Sequence, residues 1–192
     1  MAVKSIMIVG VGGQGTLLAS RLLGRALTKR GYDVKVSEVH GMSQRGGSVV
    51  TYVKYGDRVD SPIIREGEAD LILAFELLES ARWFGFMKPE GKLIVNPQQI
   101  DPMPVVIGSA AYPEGVLETL QAAGADVIEI DALTAAERAG SKKAVNVVLI
   151  GAMASQMDLP KEDWMEAVKE TVPPKYLEMN LKAFELGYNR DI

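Results

Sequence analysis

The stretch Gly10-Val11-Gly12-Gly13-Gln14-Gly15, residues 10–15, decides how the rest of the sequence is interpreted. It has the spacing G-x-G-x-x-G and lies between an apolar run at 3–9 and a segment of helical apolar spacing at 16–29. In that context the first glycine allows a tight turn, the second lets a phosphate approach the backbone, and the third lets helix and strand pack closely. The motif therefore predicts a strand, a turn and a helix whose N-terminus favours an anion.

The same alternation of strands and helices continues along the chain. The predicted elements are strands at 3–9, 33–39, 48–55, 58–64, 69–75, 92–95, 105–107 and 126–130, and helices at 16–29, 76–84, 113–123, 132–139, 144–157, 161–171 and 176–187. This order predicts a three-layer, Rossmann-like α/β fold, with a mostly parallel sheet and helices on both faces. We expect residues 1–192 to form one domain, with a helical C-terminal third at about 144–188 packing on it.

Composition excludes several classes of function. The chain of 192 residues carries a net charge of −4, which does not favour nucleic-acid binding. It has no cysteine and one histidine, so it offers no thiolate for an iron–sulfur cluster and no multi-histidine metal site. The apolar run at 6–9 is too short for a signal segment, and no stretch approaches the roughly 18 apolar residues of a membrane helix. A cytoplasmic protein without membrane contact is the expectation.

Glu38 keeps a nicotinamide-dependent reductase open as an alternative. It follows Gly15 by 23 residues, near the position of the acid that binds the adenosine ribose in dinucleotide-binding folds. No proton-transfer constellation follows it, however, and His40 lies beside Glu38 rather than where such chemistry would occur. The G-x-G-G-x-G form also resembles the ubiquitin-activating type of adenylating enzyme. A nucleotide-binding structural or regulatory module is a further alternative.

A second polar segment, residues 37–48, follows the second predicted strand. It reads Ser-Glu-Val-His-Gly-Met-Ser-Gln-Arg-Gly-Gly-Ser and concentrates charged, amide and glycine residues at the carboxyl edge of the sheet, where open α/β folds bind ligands. Arg45 can pair in bidentate fashion with a carboxylate or phosphate, and Gly46 and Gly47 allow close backbone approach. The segment is therefore a second candidate for binding.

Together, residues 10–15 and 37–49 resemble the gamma domain of the thiamine-diphosphate-dependent 2-oxoacid:ferredoxin oxidoreductases. The segments at 143–152 and 173–187 are similar in particular to the small (beta) subunits of the indolepyruvate members of that family. The resemblance covers nearly the whole chain and rests on these four segments in the same order. It implies an enzyme that oxidatively decarboxylates an aryl 2-oxoacid to an acyl-coenzyme A and passes electrons to ferredoxin.

The resemblance also implies how the cofactors are divided. Thiamine diphosphate, magnesium and iron–sulfur clusters would belong to a large alpha subunit, the direct partner, with ferredoxin an indirect one. Coenzyme A is the co-substrate, and this chain would bind no cofactor alone. The residues expected to face the large subunit or coenzyme A, none of them catalytic, are Gly10, Gly12, Gly13, Gln14, Gly15, Glu38, His40, Gln44, Arg45, Gly46 and Gly47. On this hypothesis Arg45→Ala impairs assembly or raises the coenzyme A requirement.

Overall fold

The computed structural model describes residues 1–40 and 46–191. Six strands and eight helices lie in these residues: β1 (Lys4–Val11), α1 (Thr16–Lys29), β2 (Asp33–His40), β3 (Ser48–Gly56), β4 (Ala69–Ala74), α2 (Leu77–Trp83), β5 (Met87–Val95), α3 (Met103–Val106), α4 (Val116–Ala122), β6 (Asp126–Glu129), α5 (Ala132–Ala139), α6 (Val145–Ala154), α7 (Lys161–Thr171) and α8 (Leu177–Asn189). None of the described helices is both long and apolar enough to cross a membrane.

The strands form one mixed sheet in the order β2-β3-β1-β4-β5-β6. Strand β3 runs antiparallel to both of its neighbours, β1 and β2, while β1, β4, β5 and β6 are parallel to one another. The mostly parallel α/β sheet predicted from the sequence is confirmed. The position of β3 between β1 and β2 within the sheet was not predicted.

Alternating residues of the strands supply two separate apolar layers. Ile6 and Ile8 of β1 point to the face that carries α1 and the C-terminal helices, and Met7 and Val9 point to the face that carries α2 and α4. All four side chains are almost completely buried. A strand buried on both faces reads as a continuous apolar run, which is why β1 is evident in the sequence.

Helices α6 and α8 pack unusually closely at two glycines. A Cβ atom at Gly151 would lie 2.2 Å from the carbonyl oxygen of Phe184, and one at Gly187 would lie 2.0 Å from that of Val148. Because the backbones touch, only glycine fits at these positions. The apolar helix predicted at 144–157 is therefore an internal layer between the sheet and α8.

Two predicted strands are wrong. Residues 58–64 form no strand, because β3 already pairs with β1 on one side and β2 on the other and leaves no free edge for a returning strand. Residues 105–107 overlap the helical turn α3 instead. Its prolines, Pro102 and Pro104, stand at the start of the turn, where a missing N–H leaves no helical hydrogen bond unmade.

Candidate functional site

The glycine loop joins β1 to α1 and is shaped by backbone contacts on both sides. A Cβ atom at Gly10 would lie 2.9 Å from Cβ of Phe75, at the end of the neighbouring strand β4. Gly15 is the N-cap residue of α1, and its φ of 87° lies in the left-handed region that favours glycine. At Gly13, where φ is 102°, no atom would lie within 4 Å of an added Cβ. The loop is therefore packed at its two ends and open in its middle.

Gln14 braces this loop from within. Its Oε1 accepts a hydrogen bond from the N–H of Val11 at 2.8 Å, and its Nε2 donates to the carbonyl of Phe75 at 3.0 Å. Both ends of the amide thus join the loop to the ends of β1 and β4. The contact of Gln14 with a cofactor stays a prediction, and the structure gives the side chain a supporting role.

The glycine loop and the second polar segment meet through their backbones. The N–H of Gly12 donates to the carbonyl of Gly47 at 2.9 Å, and the N–H of Gly46 points to the carbonyl of Gly12 at 3.5 Å. Gln44 and Arg45 lie outside the described residues, as does the side chain of His40. The proposed shared edge is thus supported by the glycines, and the roles of Gln44, Arg45 and His40 stay predictions.

These contacts determine which donors of the loop remain for a ligand. The N–H of Gly12 is engaged by Gly47, whereas those of Gly13 and Gly15 have no acceptor within residues 1–40 and 46–191. Both of these groups lie at the N-terminus of α1, where the helix dipole adds positive potential. An anion is therefore expected at Gly13 and Gly15 rather than at Gly12.

Glu38 lies on one side of the loop. It lines a cleft of about 370 Å³ together with the glycine loop, Leu17 and Val49, and its Oε2 accepts from Oγ1 of Thr51 at 3.4 Å. The predicted proximity of Glu38 to the glycines is therefore found. Its exposed carboxylate repels a phosphate on this side of the loop.

The position of β3 between β1 and β2 also affects whether Glu38 could bind the ribose of a nicotinamide dinucleotide. In dinucleotide-binding folds the ribose-binding acid ends the strand adjacent to the first strand. Here β2 lies two strand spacings from β1, about 9–10 Å at the usual 4.7–4.9 Å per spacing. Glu38 is thus shifted sideways by one strand from the position that a nicotinamide dinucleotide requires.

A second cleft, of about 660 Å³, lies on the other side of the loop. It is lined by Gly13, Gln14 and Gly15 and by residues that precede or begin α6, among them Lys142, Lys143 and Asn146. Lys142 pairs with Glu137 at 3.0 Å, and Lys143 has no carboxylate within 4.0 Å in the described part of the chain. Because Glu137 offsets the charge of Lys142, it is Lys143 that gives this side of the loop a net positive charge, which the Glu38 side does not have.

Asn146 connects the second cleft to the glycine loop. The residue is 7% exposed, and its Oδ1 has no hydrogen-bond partner among the described residues. A Cβ atom at Gly15 would lie 2.6 Å from its Nδ2, so the amide packs directly on the loop. A buried amide atom without a partner is costly, which makes Asn146 a candidate to contact a ligand.

Lys142, Lys143 and Asn146 were not among the binding residues predicted from the sequence. They lie about 130 positions beyond the glycine loop, so no local spacing connects the two segments. The polar Asn146 within an apolar helix is the only sequence signal. A buried asparagine indicates that a partner is needed, but it does not say where that partner lies.

The two acidic residues near α2 serve the scaffold. Glu76 is 1% exposed, and its carboxylate accepts from the N–H groups of Glu79 and Ile100 and from the hydroxyl of Tyr112. Glu79 is buried as well, and it accepts from Ser48, Arg82 and Trp83. Because these carboxylates are engaged in several hydrogen bonds each, they position the surrounding segments rather than act as acid or base.

The chain is similar over nearly its whole length to known proteins. The family described as pyruvate ferredoxin/flavodoxin oxidoreductase matches residues 5–190. The chain is 43% identical over 190 residues to the indolepyruvate oxidoreductase subunit IorB of Pyrococcus horikoshii, covering 95% of this chain and 93% of that protein. The similarity therefore extends over nearly the full length of both chains.

Two solved structures share the fold. The gamma subunit of a keto/oxoacid ferredoxin oxidoreductase from Geobacter sulfurreducens matches with a TM-score of 0.73 at 24% identity, covering 97% of each chain. The 2-oxoglutarate:ferredoxin oxidoreductase from Magnetococcus marinus, solved with 2-oxoglutarate, coenzyme A and succinyl-CoA bound, matches with a TM-score of 0.74 at 18% identity. That match covers 98% of this chain but 31% of the other, so the same fold also occurs as one part of a longer polypeptide.

Proposed function

This chain belongs to the pyruvate ferredoxin/flavodoxin oxidoreductase family, and we propose that it is the small, non-catalytic subunit of an enzyme acting on indolepyruvate or a related aryl 2-oxoacid. Its relatives are small subunits of 2-oxoacid:ferredoxin oxidoreductases, and it is a subunit of an oxidoreductase of this kind. The complete enzyme decarboxylates the 2-oxoacid, forms an acyl-coenzyme A and transfers electrons to ferredoxin. The preference for an aryl substrate is supported by the name of the relatives at 41–43% identity.

The redox cofactors are proposed to lie on a large partner subunit. The chain has no cysteine, so it cannot hold an iron–sulfur cluster through thiolates. The described residues include no group of three or more His, Cys, Asp or Glu able to hold a metal ion. These residues offer no ligand set for magnesium or for the clusters, and we assign both, together with thiamine diphosphate, to the partner. Ferredoxin then meets this chain only indirectly, and the isolated chain is inactive.

The contribution of this chain is to bind coenzyme A at the wall formed by the glycine loop and the start of α6. The observation that carries this proposal is the second cleft, where Lys142 and Lys143 line the same space as Gly13 and Gly15, whose N–H groups have no acceptor among the described residues. Coenzyme A carries a pyrophosphate and a 3′-phosphate, and both are anions that lysines and a helix N-terminus attract. Oδ1 of Asn146, which has no hydrogen-bond partner among the described residues, offers a further polar contact in the same cleft.

The double substitution Lys142→Ala and Lys143→Ala tests this role in the assembled enzyme. We expect the KM for coenzyme A to rise about tenfold, corresponding to about 1.4 kcal/mol of lost binding, while kcat at saturation changes little. Lys169→Ala removes an exposed lysine from α7, away from the cleft, and is the matched control. An unchanged KM for coenzyme A in the double variant contradicts the assignment.

The location in the cell stays a prediction. The sequence led to the expectation of a cytoplasmic protein without membrane or nucleic-acid contact. Fractionation of native cells, followed by detection of this chain together with the large subunit, tests it.

A further inference from the structure

The segment between β5 and α4 carries the most exposed large apolar side chains of the described residues. Met103, Val106 and Ile107 are 67%, 64% and 68% exposed. Their spacing of i, i+3 and i+4 places them on one face of the helical turn α3 and its following residue. An apolar face that stands in solvent to this extent is unfavourable for an isolated chain unless it has a partner.

This segment is held at both ends by one buried carboxylate. Oε1 of Glu76 accepts from the N–H of Ile100 at 3.0 Å and from the hydroxyl of Tyr112 at 2.6 Å. Burial, together with the carboxylate of Glu76, raises the pKa of Tyr112 and keeps its hydroxyl a donor. Residues 101–111 therefore leave and re-enter the body of the protein at the same point.

The projecting segment is rigid within itself. The carbonyl of Pro104 accepts hydrogen bonds from the N–H groups of Ser109 and Ala110 at 2.9 and 3.1 Å, and that of Met103 accepts from the N–H of Ile107 at 3.0 Å. Pro102 and Pro104 fix their own φ angles, which reduces the freedom of the turn. A preorganised apolar face loses little conformational entropy when it binds, so it is suited to docking.

The charges around this face indicate what kind of surface it contacts. Between Lys92 and Arg138 the sequence has no lysine, arginine or histidine, but it has seven acidic residues. Asp101 and Glu114, the two acids nearest the segment in sequence, are exposed on either side of it. Exposed acids on both sides of the segment in the sequence disfavour an anionic membrane surface or a nucleic acid, and they favour a protein recess bordered by basic side chains.

We propose that Met103, Val106 and Ile107 form a docking face that inserts into an apolar recess, rimmed by lysine or arginine, on the large subunit of the oxidoreductase. The inference rests on the proposed function, since it takes the partner from there. That the same fold occurs as 31% of a longer oxidoreductase polypeptide supports a partner of this kind. The three side chains act as the buried anchor of a larger interface, where a few residues carry most of the binding energy.

The test compares Ile107→Glu with Ile63→Glu, a control that places the same charge at another isoleucine, which is 51% exposed. The full-length variants are co-expressed with the large subunit, and the affinity of the complex is measured after purification. We expect Ile107→Glu to weaken the complex at least about tenfold and Ile63→Glu to leave it within about twofold of wild type. Because both sites are exposed, both variants should keep the far-UV circular dichroism and thermal midpoint of wild type.

Each other outcome contradicts a defined part of the account. Equal binding by all three proteins, or equal weakening by both substitutions, overturns the docking face. If Ile107→Glu instead abolishes self-association of this chain, or abolishes binding to vesicles of phosphatidylcholine and phosphatidylglycerol, the occupant is a second copy or a membrane and the inference is wrong. If the wild-type chain recovers no large oxidoreductase subunit, the proposed function fails, and this inference fails with it.

Discussion

At the level of single residues, Asn146 connects the glycine loop to the helical third of the chain. Its side chain is buried against Gly15, and its Oδ1 has no partner among the described residues. A residue retained only for stability would normally satisfy such an atom. We therefore interpret the unpaired amide as a group that gains its partner when a ligand or the large subunit is bound.

This interpretation predicts that Asn146→Ala has little effect on the stability of the isolated chain but a clear effect on the assembled enzyme. In the isolated chain the lost packing is offset by removal of an unpaired polar atom, so the free energy of unfolding should change by less than about 1 kcal/mol. In the complex the KM for coenzyme A should rise several-fold. Urea unfolding of the chain and steady-state kinetics of the complex measure the two effects.

The contrary result is equally specific. A loss of more than about 3 kcal/mol in the isolated chain, with no change in the KM for coenzyme A, would assign Asn146 to the core. Val147→Ala, at the position after it in α6 and outside the lining of the second cleft, is a suitable control because it removes apolar contact without touching an amide. It should lower stability modestly and leave the kinetics unchanged.

At the residue level, the sequence indicates the conformational role of the glycines, while their binding role stays a prediction. The glycine positions could be identified because a side chain does not fit there. Gly15 has a φ near +90°, and a Cβ atom at Gly10 would be in tight contact with its neighbours. The internal role of Gln14 was not identifiable, since its two hydrogen bonds reach the ends of two different strands. Lys142 and Lys143 were not identifiable as neighbours of the loop, because their proximity to it depends on how α6 packs.

At the level of elements, the contact between α6 and α8 depends on a pair of glycines. Gly151 and Gly187 each lie against a carbonyl of the opposite helix, at distances that no Cβ atom could occupy. Both fall in the segments that resemble the indolepyruvate subunits. The close approach gives a physical reason for glycine at these two positions, independent of any ligand.

We expect Gly187→Ala to destabilise the chain by about 1–3 kcal/mol, because the added methyl group forces the two helix backbones apart. Gly24→Ala is the matched control within α1, where an added Cβ would meet no atom within 4 Å. That change should stabilise the chain by about 0.5–1 kcal/mol through higher helix propensity. Chemical denaturation of both variants gives the comparison, and equal effects would show that the α6–α8 contact is not close.

Most elements could be predicted because their signals are local. The apolar stripe of α1 and the pattern of α7 gave both helices with the bounds that the structure has. The position of β3 between β1 and β2 could not be predicted, since it depends on which strands pair across the sheet. Residues 105–107 were predicted as a strand because all three are β-branched. They overlap the helical turn α3 instead, because Pro102 and Pro104 favour the start of a helical turn.

At the level of the whole molecule, the chain has its polar and apolar binding features in different places. The glycine loop and the lysines form a polar wall, and the α3 face forms an exposed apolar one. Neither wall encloses a complete site, and the described residues include no group able to hold a metal. This arrangement favours a subunit that completes a site on another chain over an enzyme that acts alone.

The measurement that tests this account most directly is ferredoxin reduction by the separately purified chain, the large subunit and their mixture, with indolepyruvate and coenzyme A. We predict no reduction by this chain alone, and a rate in the mixture well above that of the large subunit alone. Reduction of a pyridine nucleotide by this chain alone, or a mixture no faster than the large subunit, would contradict the account.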